Sequence, residues 1–212
     1  MQIKVCGVTT FKQLQQLDGL EIGFAGLIFN QDSPRYAAGL QFKEELMDAD
    51  LDIKKVGVFT NQEIEEIMQI VDDYDLDVVQ LHGEESPELC RELSSHVETI
   101  KVIRFAEDNP LHVDKLLEEY DAVVDYYLFD MAAKNGYGGT GRKINWAVVA
   151  KGKIEKPFFL GGGISPADTA AIKNFSHPDF YGIDINSRFE KEPGVKDMPA
   201  ILRFKHELSL SV

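Results

Sequence analysis

Eight short apolar runs punctuate the chain, and residues at helical spacing follow most of them. The runs are Ile3-Val5, Ile22-Phe29, Val56-Phe59, Val78-Leu81, Ile100-Phe105, Tyr126-Phe129, Pro157-Leu160 and Phe180-Ile185. They are rich in Val, Ile, Phe and Tyr, as strands buried on both faces should be. Between them, Ile64, Ile67, Met68 and Val71 form the i, i+3, i+4, i+7 stripe of an amphipathic helix. Ser86-Pro87-Glu88 and Ser165-Pro166-Ala167-Asp168 each set a cap residue before Pro at the first helical position. Pro199 with Ile201, Leu202, Lys205 and Leu208 suits a closing helix. Strict alternation of strand and helix predicts a parallel sheet. Eight units in 212 residues, roughly 26 each, favour an α/β fold of the compact (β/α)8 TIM barrel type. A doubly wound open sheet would give a similar string. No linker, low-complexity tract or internal repeat interrupts the pattern, so one domain is expected over residues 1–212.

Composition narrows the class. Lys and Arg number 22 against 36 Asp and Glu, a formal net charge of −14, which argues against nucleic acid and anionic membranes as partners. Neither a membrane-length apolar run nor the apolar core of a signal peptide is visible, so a cytoplasmic protein is expected. Two cysteines, Cys6 and Cys90, make neither a disulfide framework nor a zinc motif. Residues 61–77 hold Glu63, Glu65, Glu66, Asp72, Asp73, Asp75 and Asp77 with no Lys or Arg, which reads as a solvated outer helix rather than a docking face.

In a barrel, chemistry collects where strands end, and six of the eight ends carry reactive groups. They are Cys6-Gly7, Ser33-Pro34-Arg35-Tyr36, Gln80-Leu81-His82-Gly83, Asp130 before Gly136 to Arg142, Gly161-Gly162-Gly163, and Asp184-Ile185-Asn186-Ser187. The clusters holding Gly139 and Gly141, and Gly162 and Gly163, can bring bare backbone N–H groups to an anion, and Asn186 and Ser187 follow the last strand. Phosphate binding at the seventh and eighth loops recurs in barrels. Neither cluster is a Walker A motif or a dinucleotide fingerprint. Cys6 reads equally as a small buried hydrophobe or as a base toward an activated carbon acid. Asp130, closing an aromatic run, is either a general acid with a raised pKa or a turn residue. Arg35 offers a planar fork to a carboxylate or phosphate, although surface Arg is the commoner case. His82 has no second His at another strand end, so no metal site is expected. Asp184 either orients a substrate or caps the last turn. Cys90 lies inside a helix and reads as structural.

Taken together, these residues resemble the phosphoribosylanthranilate isomerase family of tryptophan biosynthesis. The resemblance rests on Lys4-Val5-Cys6-Gly7-Val8-Thr9, Gly23-Phe24 through Phe29, Ser33-Pro34-Arg35-Tyr36 and Val56-Gly57-Val58-Phe59. It continues through Val79-Gln80-Leu81-His82-Gly83-Glu84-Glu85, Asp130 with Gly138-Gly139-Thr140-Gly141, Trp146 and Leu160-Gly161-Gly162-Gly163. Gly182-Ile183-Asp184 and Pro193-Gly194-Val195-Lys196-Asp197 complete it. The resemblance implies a compact barrel without cofactor or metal, monomeric or homodimeric, acting on a small phosphosugar. It implies an aldose–ketose isomerisation, the third committed step of tryptophan biosynthesis. N-(5-phosphoribosyl)anthranilate would become 1-(2-carboxyphenylamino)-1-deoxy-D-ribulose 5-phosphate by an Amadori rearrangement. By the same resemblance Asp130 is the general acid and Cys6 the general base. Arg35 would hold the anthranilate carboxylate, with Asp184 at the amine or sugar and His82 in the pocket. The glycine clusters with Asn186 and Ser187 would hold the phosphate.

Two segments depart from the family pattern. Ser187-Arg188 stands where members carry Ser-Gly, so Arg188 is either strained by a positive φ or adds a phosphate contact. The loop from Lys134 to Tyr137 is its own variant. Among other barrels, indole-glycerol-phosphate synthase calls for Lys and Glu at the strand ends, and a metal-dependent epimerase calls for paired His and Asp. A non-catalytic phosphate-binding barrel would need neither Cys6 nor Asp130.

Overall fold

The computed structural model describes residues 1–37, 43–47, 49–105, 113–131 and 146–210. In chain order the elements are β1 (Gln2–Cys6), α1 (Phe11–Gly19), β2 (Phe24–Ile28), α2 (Lys43–Met47), β3 (Lys54–Phe59) and α3 (Ile64–Tyr74). Next come β4 (Val78–Leu81), α4 (Pro87–Ser94), β5 (Glu98–Phe105), α5 (Val113–Tyr120), β6 (Tyr126–Met131) and α6 (Trp146–Val149). The chain closes with β7 (Phe158–Leu160), α7 (Thr169–Asn174), β8 (Phe180–Ile185), β9 (Glu190–Glu192), β10 (Val195–Lys196) and α8 (Met198–Ser209). Strands β1 to β8 pair in sequential parallel order and β8 returns to β1, giving a closed (β/α)8 barrel rather than an open sheet.

Two apolar layers explain why the strands read as continuous hydrophobic runs. Phe24, Val56, Val78, Ile100, Val102, Leu128 and Phe159 pack together in the barrel interior. The alternate positions, among them Val5, Leu27, Val79, Ile103, Phe129 and Ile183, pack against the helices. Both faces of each strand are therefore taken from water, and only residues near the strand ends are spared.

The helix signals hold with one refinement. Ser86 caps α4, its Oγ accepting from the Leu89 amide. Ser165 instead opens a single 3-10 turn, Pro166–Asp168, held by reciprocal Ser165 and Asp168 bonds before α7 begins. In α3, Ile67, Val71 and Tyr74 are buried. Of the seven acids around it six are exposed and Asp73 is half-buried, and Asp73 and Asp75 take Lys43 and Lys55 as partners, so this is a solvated face. The pattern did not anticipate the β9–β10 hairpin, two strands too short to leave a periodic signal.

Candidate active site

Strand direction gathers the predicted groups at one mouth of the barrel. Cys6, Gly26, Gln80, Arg104, Asp130 and Asp184 belong to the same alternating phase as the interior residues, displaced toward the carboxyl ends. Two of these pairs are direct neighbours in register, Cys6 with Gly26 and Arg104 with Asp130. His82, one residue past β4, continues that phase.

Asp130 and His82 face each other. Nε2 of His82 lies 3.7 Å from Oδ2 of Asp130, and the side chains are 16% and 19% exposed. Asp130 Oδ1 accepts from the Met131 amide at 2.7 Å, so among the described residues Oδ2 is the oxygen placed to carry a proton. Burial pushes the Asp130 carboxyl up to about 6, helped by the Asp184 charge and opposed by that amide and by Lys4 and Arg104. Burial, with Arg104 and Lys4 close by, pushes His82 down to about 4, so its imidazole is neutral at neutral pH. Gln80 Nε2 sits 3.3 Å from His82 Nδ1. Among the described residues His82 Nε2 is buried with no hydrogen-bond partner, an arrangement suited to a visiting polar group.

Cys6 stands across the mouth, 5% exposed. Burial pushes its thiol above the ordinary value, with Lys4 and Lys196 pulling the other way. At rest it is a thiol, and a thiolate formed there meets two cations. Gly26 makes room for it: a Cβ at that position would fall 2.9 Å from the sulfur.

Arg35 approaches from the loop after β2 and is held in a fork. Its Nε donates to Glu190 Oε1 at 2.9 Å, and its Nη2 donates to Oε2 at 2.6 Å. Lys196 Nζ donates to the same carboxylate at 2.7 Å and to Asn186 Oδ1 at 2.8 Å. These bonds hold Glu190 below the usual carboxylate range despite the opposing effect of burial. Two cations share one anion here, so the cluster keeps a net positive charge within a chain of −14. The Nη1 donors of Arg35 lie outside the pair and are the ones a carboxylate could take.

On the phosphate side, Gly162 and Gly163 adopt φ of 80° and 73°, backbone that only glycine takes without strain. Among the described residues neither amide donates to a backbone carbonyl. Asn186 and Ser187 lead into the 3-10 turn Ser187–Phe189. Arg188 is exposed and its φ is not positive, so the expected strain is absent. Gly139, Gly141 and the Lys134 to Tyr137 loop lie outside the described residues. Cys90 is fully buried in α4, in keeping with a structural role.

Several groups at this mouth escaped the sequence reading. Lys4 and Arg104 were detectable, since each stands two residues from an inward-facing neighbour, Cys6 and Val102 respectively. Glu190 and Lys196 arrive on the β9–β10 hairpin; no local pattern marks Glu190, and Lys196 lies in a segment that carries the resemblance without a role assigned to it.

The chain matches, over residues 3–206, the family model described as N-(5'-phosphoribosyl)anthranilate (PRA) isomerase. It is 40% identical over 210 residues to an N-(5'-phosphoribosyl)anthranilate isomerase of Parabacteroides distasonis, covering 98% of this chain and 93% of that one. A Phocaeicola vulgatus protein of the same name is 33% identical over 213 residues, with both chains covered in full. Among solved structures, the phosphoribosyl anthranilate isomerase of Thermotoga maritima superposes with a TM-score of 0.85 at 26% identity over 98% of both chains.

Proposed function

The chain belongs to the N-(5'-phosphoribosyl)anthranilate isomerase family, isomerases of tryptophan biosynthesis, and from that premise we propose that Asp130 is its general acid and Cys6 its general base. The observation that carries the assignment is the pair of opposed environments at one barrel mouth. A carboxyl raised to about 6 can still hold a proton, and a thiol flanked by Lys4 and Lys196 can give one up.

The substrate is an aminosugar phosphate with an anthranilate on C1′. Asp130 Oδ2 gives its proton to the ribose ring oxygen, the C1′–O bond breaks, and the nitrogen lone pair completes an iminium. That cation makes the C2′ hydrogen acidic, so the Cys6 thiolate removes it and the electrons settle as an enolamine. Protonation at C1′ with loss of the C2′ hydroxyl proton then yields the 1-amino-1-deoxyketose. Asp130 at about 6 leaves roughly one molecule in ten protonated at pH 7, enough for a donor matched to its task. Neutral His82, with a buried Nε2 facing Asp130, is placed to meet the carboxylate left behind or the newly freed hydroxyl.

Arg35, steadied by Glu190, would take the anthranilate carboxylate through Nη1, and Asp184 would contact the amine or sugar. The amides of Gly162 and Gly163 with Asn186 and Ser187 would take the phosphate, joined by Gly139 and Gly141. The positive cluster of Arg35, Lys196 and Glu190 offsets locally a net charge that opposes an anionic substrate. A phosphoribosyl anthranilate isomerase 24% identical to this chain has been solved in complex with reduced 1-(o-carboxyphenylamino)-1-deoxyribulose 5-phosphate.

The test is direct turnover of phosphoribosylanthranilate generated in situ, followed by the change in fluorescence of its anthranilate group after addition of the enzyme. Cys6→Ser and Asp130→Asn should each lower kcat by about 10²–10⁴-fold, while Cys90→Ser behaves as wild type. Equal rates in all three variants would end the assignment.

A further inference from the structure

The proposed mechanism leaves a buried charge beside Cys6 without a task. The Lys4 side chain is wholly enclosed in the barrel interior, where an ammonium is costly unless it is paired. Its Nζ lies 2.8 Å from Asp184 Oδ1, across the β1–β8 seam where the two residues are register partners. An ammonium has three donors, and this bond uses one. A Cβ at Gly26 would stand 3.2 Å from Lys4 Nζ and 2.9 Å from Cys6 Sγ, so the missing side chain opens one space shared by nitrogen and sulfur. Both groups border that space, and the ammonium charge favours a thiolate on the sulfur.

We propose that Lys4 is a positioning residue for the isomerisation: its ammonium, paired with Asp184 and bordering the same space as Cys6, balances the negative charge of the Cys6 thiolate at the moment the C2′ proton is taken. This deepens the assignment of Cys6 as base and rests on it. Asp184 keeps the cation charged and fixed when the sulfur is neutral. Without Lys4, the thiolate would form in a closed space facing only the Asp184 carboxylate on that side.

The charges that face Cys6 come from every neighbouring element. Lys4 lies on its own strand, Asp184 on β8 and Lys196 on β10, with Arg35 on the loop after β2 and Glu190 between those two cations. His82 and Asp130 stand across the mouth on the β4 and β6 sides. Burial and Asp184 oppose the thiolate, whereas Lys4 acts most strongly in its favour, ahead of Lys196. Removing Lys4 and removing the Asp184 charge should therefore have opposite signs. A pair that merely staples the barrel seam predicts no such opposition.

The experiment reads the thiol of the free, full-length protein by far-ultraviolet thiolate absorbance against pH. The background is Cys90→Ser, and Cys6→Ser on that background is the blank. Lys4→Met should move the Cys6 midpoint up by about one pH unit or more. Asp184→Asn should move it down. In turnover, Lys4→Met should lose about tenfold in kcat/KM at neutral pH and regain most of it in alkali, where the thiolate forms unaided. Unchanged midpoints in both variants, or the same direction in both, overturn the proposal. Should Lys4→Met fail to fold, the near-isosteric Asp184→Asn decides alone, because an upward or absent shift overturns it. Full turnover by Cys6→Ser would instead overturn the assignment of the base, so the two failures are distinguishable.

Discussion

The opposed protonation needs of Asp130 and Cys6 predict an unusual pH profile for the wild-type enzyme and a different one for Asp130→Asn. Productive enzyme carries a proton on Asp130 and none on Cys6. Asp130 titrates near 6, and the Cys6 thiol lies above its ordinary 9.0. Between those values the protonated fraction of Asp130 falls tenfold per pH unit while the thiolate fraction rises tenfold, and their product stays flat. The productive form is then a minor fraction of the enzyme across the plateau, since burial holds the Cys6 thiol well above Asp130. Below pH 6 Asp130 is fully protonated and the thiolate keeps falling, so kcat/KM falls too. In Asp130→Asn the acid is gone. Its residual rate should rise about tenfold per pH unit through neutrality, following the thiolate alone. The assay is initial-rate kcat/KM from pH 5 to 9 on both proteins, with the same substrate. The substrate phosphate also titrates near 6, but it is common to both, so the ratio of the two profiles isolates Asp130. His82, at about 4, cannot supply an edge near 6. A ratio constant across pH would refute the reasoning.

Three further outcomes follow from the structure. Raising the Asp130 carboxyl from 3.8 to about 6 by burial costs the folded state about 3 kcal/mol once the group is ionised in both states. Asp130→Asn should therefore be more stable than wild type above pH 6 in urea unfolding. The gain should shrink through the window down to pH 3.8 and vanish below it, and equal stability at pH 8 would contradict this. Lys101 Nζ lies 2.6 Å from Glu85 Oε2, in a buried pair whose other oxygen takes the Asn61 and Gly83 amides. Lys101→Met should lose about 3–5 kcal/mol in the same assay, because it strands a buried carboxylate, and a loss below about 1 kcal/mol would show the pair to be dispensable. Gly162→Ala forces an L side chain to a φ of 80°, which should cost about 1–2 kcal/mol and raise KM more than it lowers kcat. An unchanged KM would remove Gly162 from the phosphate site.

The alternation of buried strand and amphipathic helix was legible in the chain because it is local. A strand covered on both faces must be apolar throughout, and a covering helix must show its stripe within a few turns. The same locality marked the strand ends, where Cys6, His82, Asp130 and Asp184 interrupt apolar runs, and the glycines at 161–163, of which Gly162 and Gly163 take a positive φ. What only the tertiary structure decided is which charges meet. Closing the sheet brings Lys4 to Asp184 over 180 positions, and the late hairpin brings Glu190 to Arg35 over 155. Arg35 thus arrives as a cation already shared, and Cys6 as a thiol set by two lysines and a carboxylate. Those environments depend on depth and distance in space, and the separation of residues along the chain carries neither.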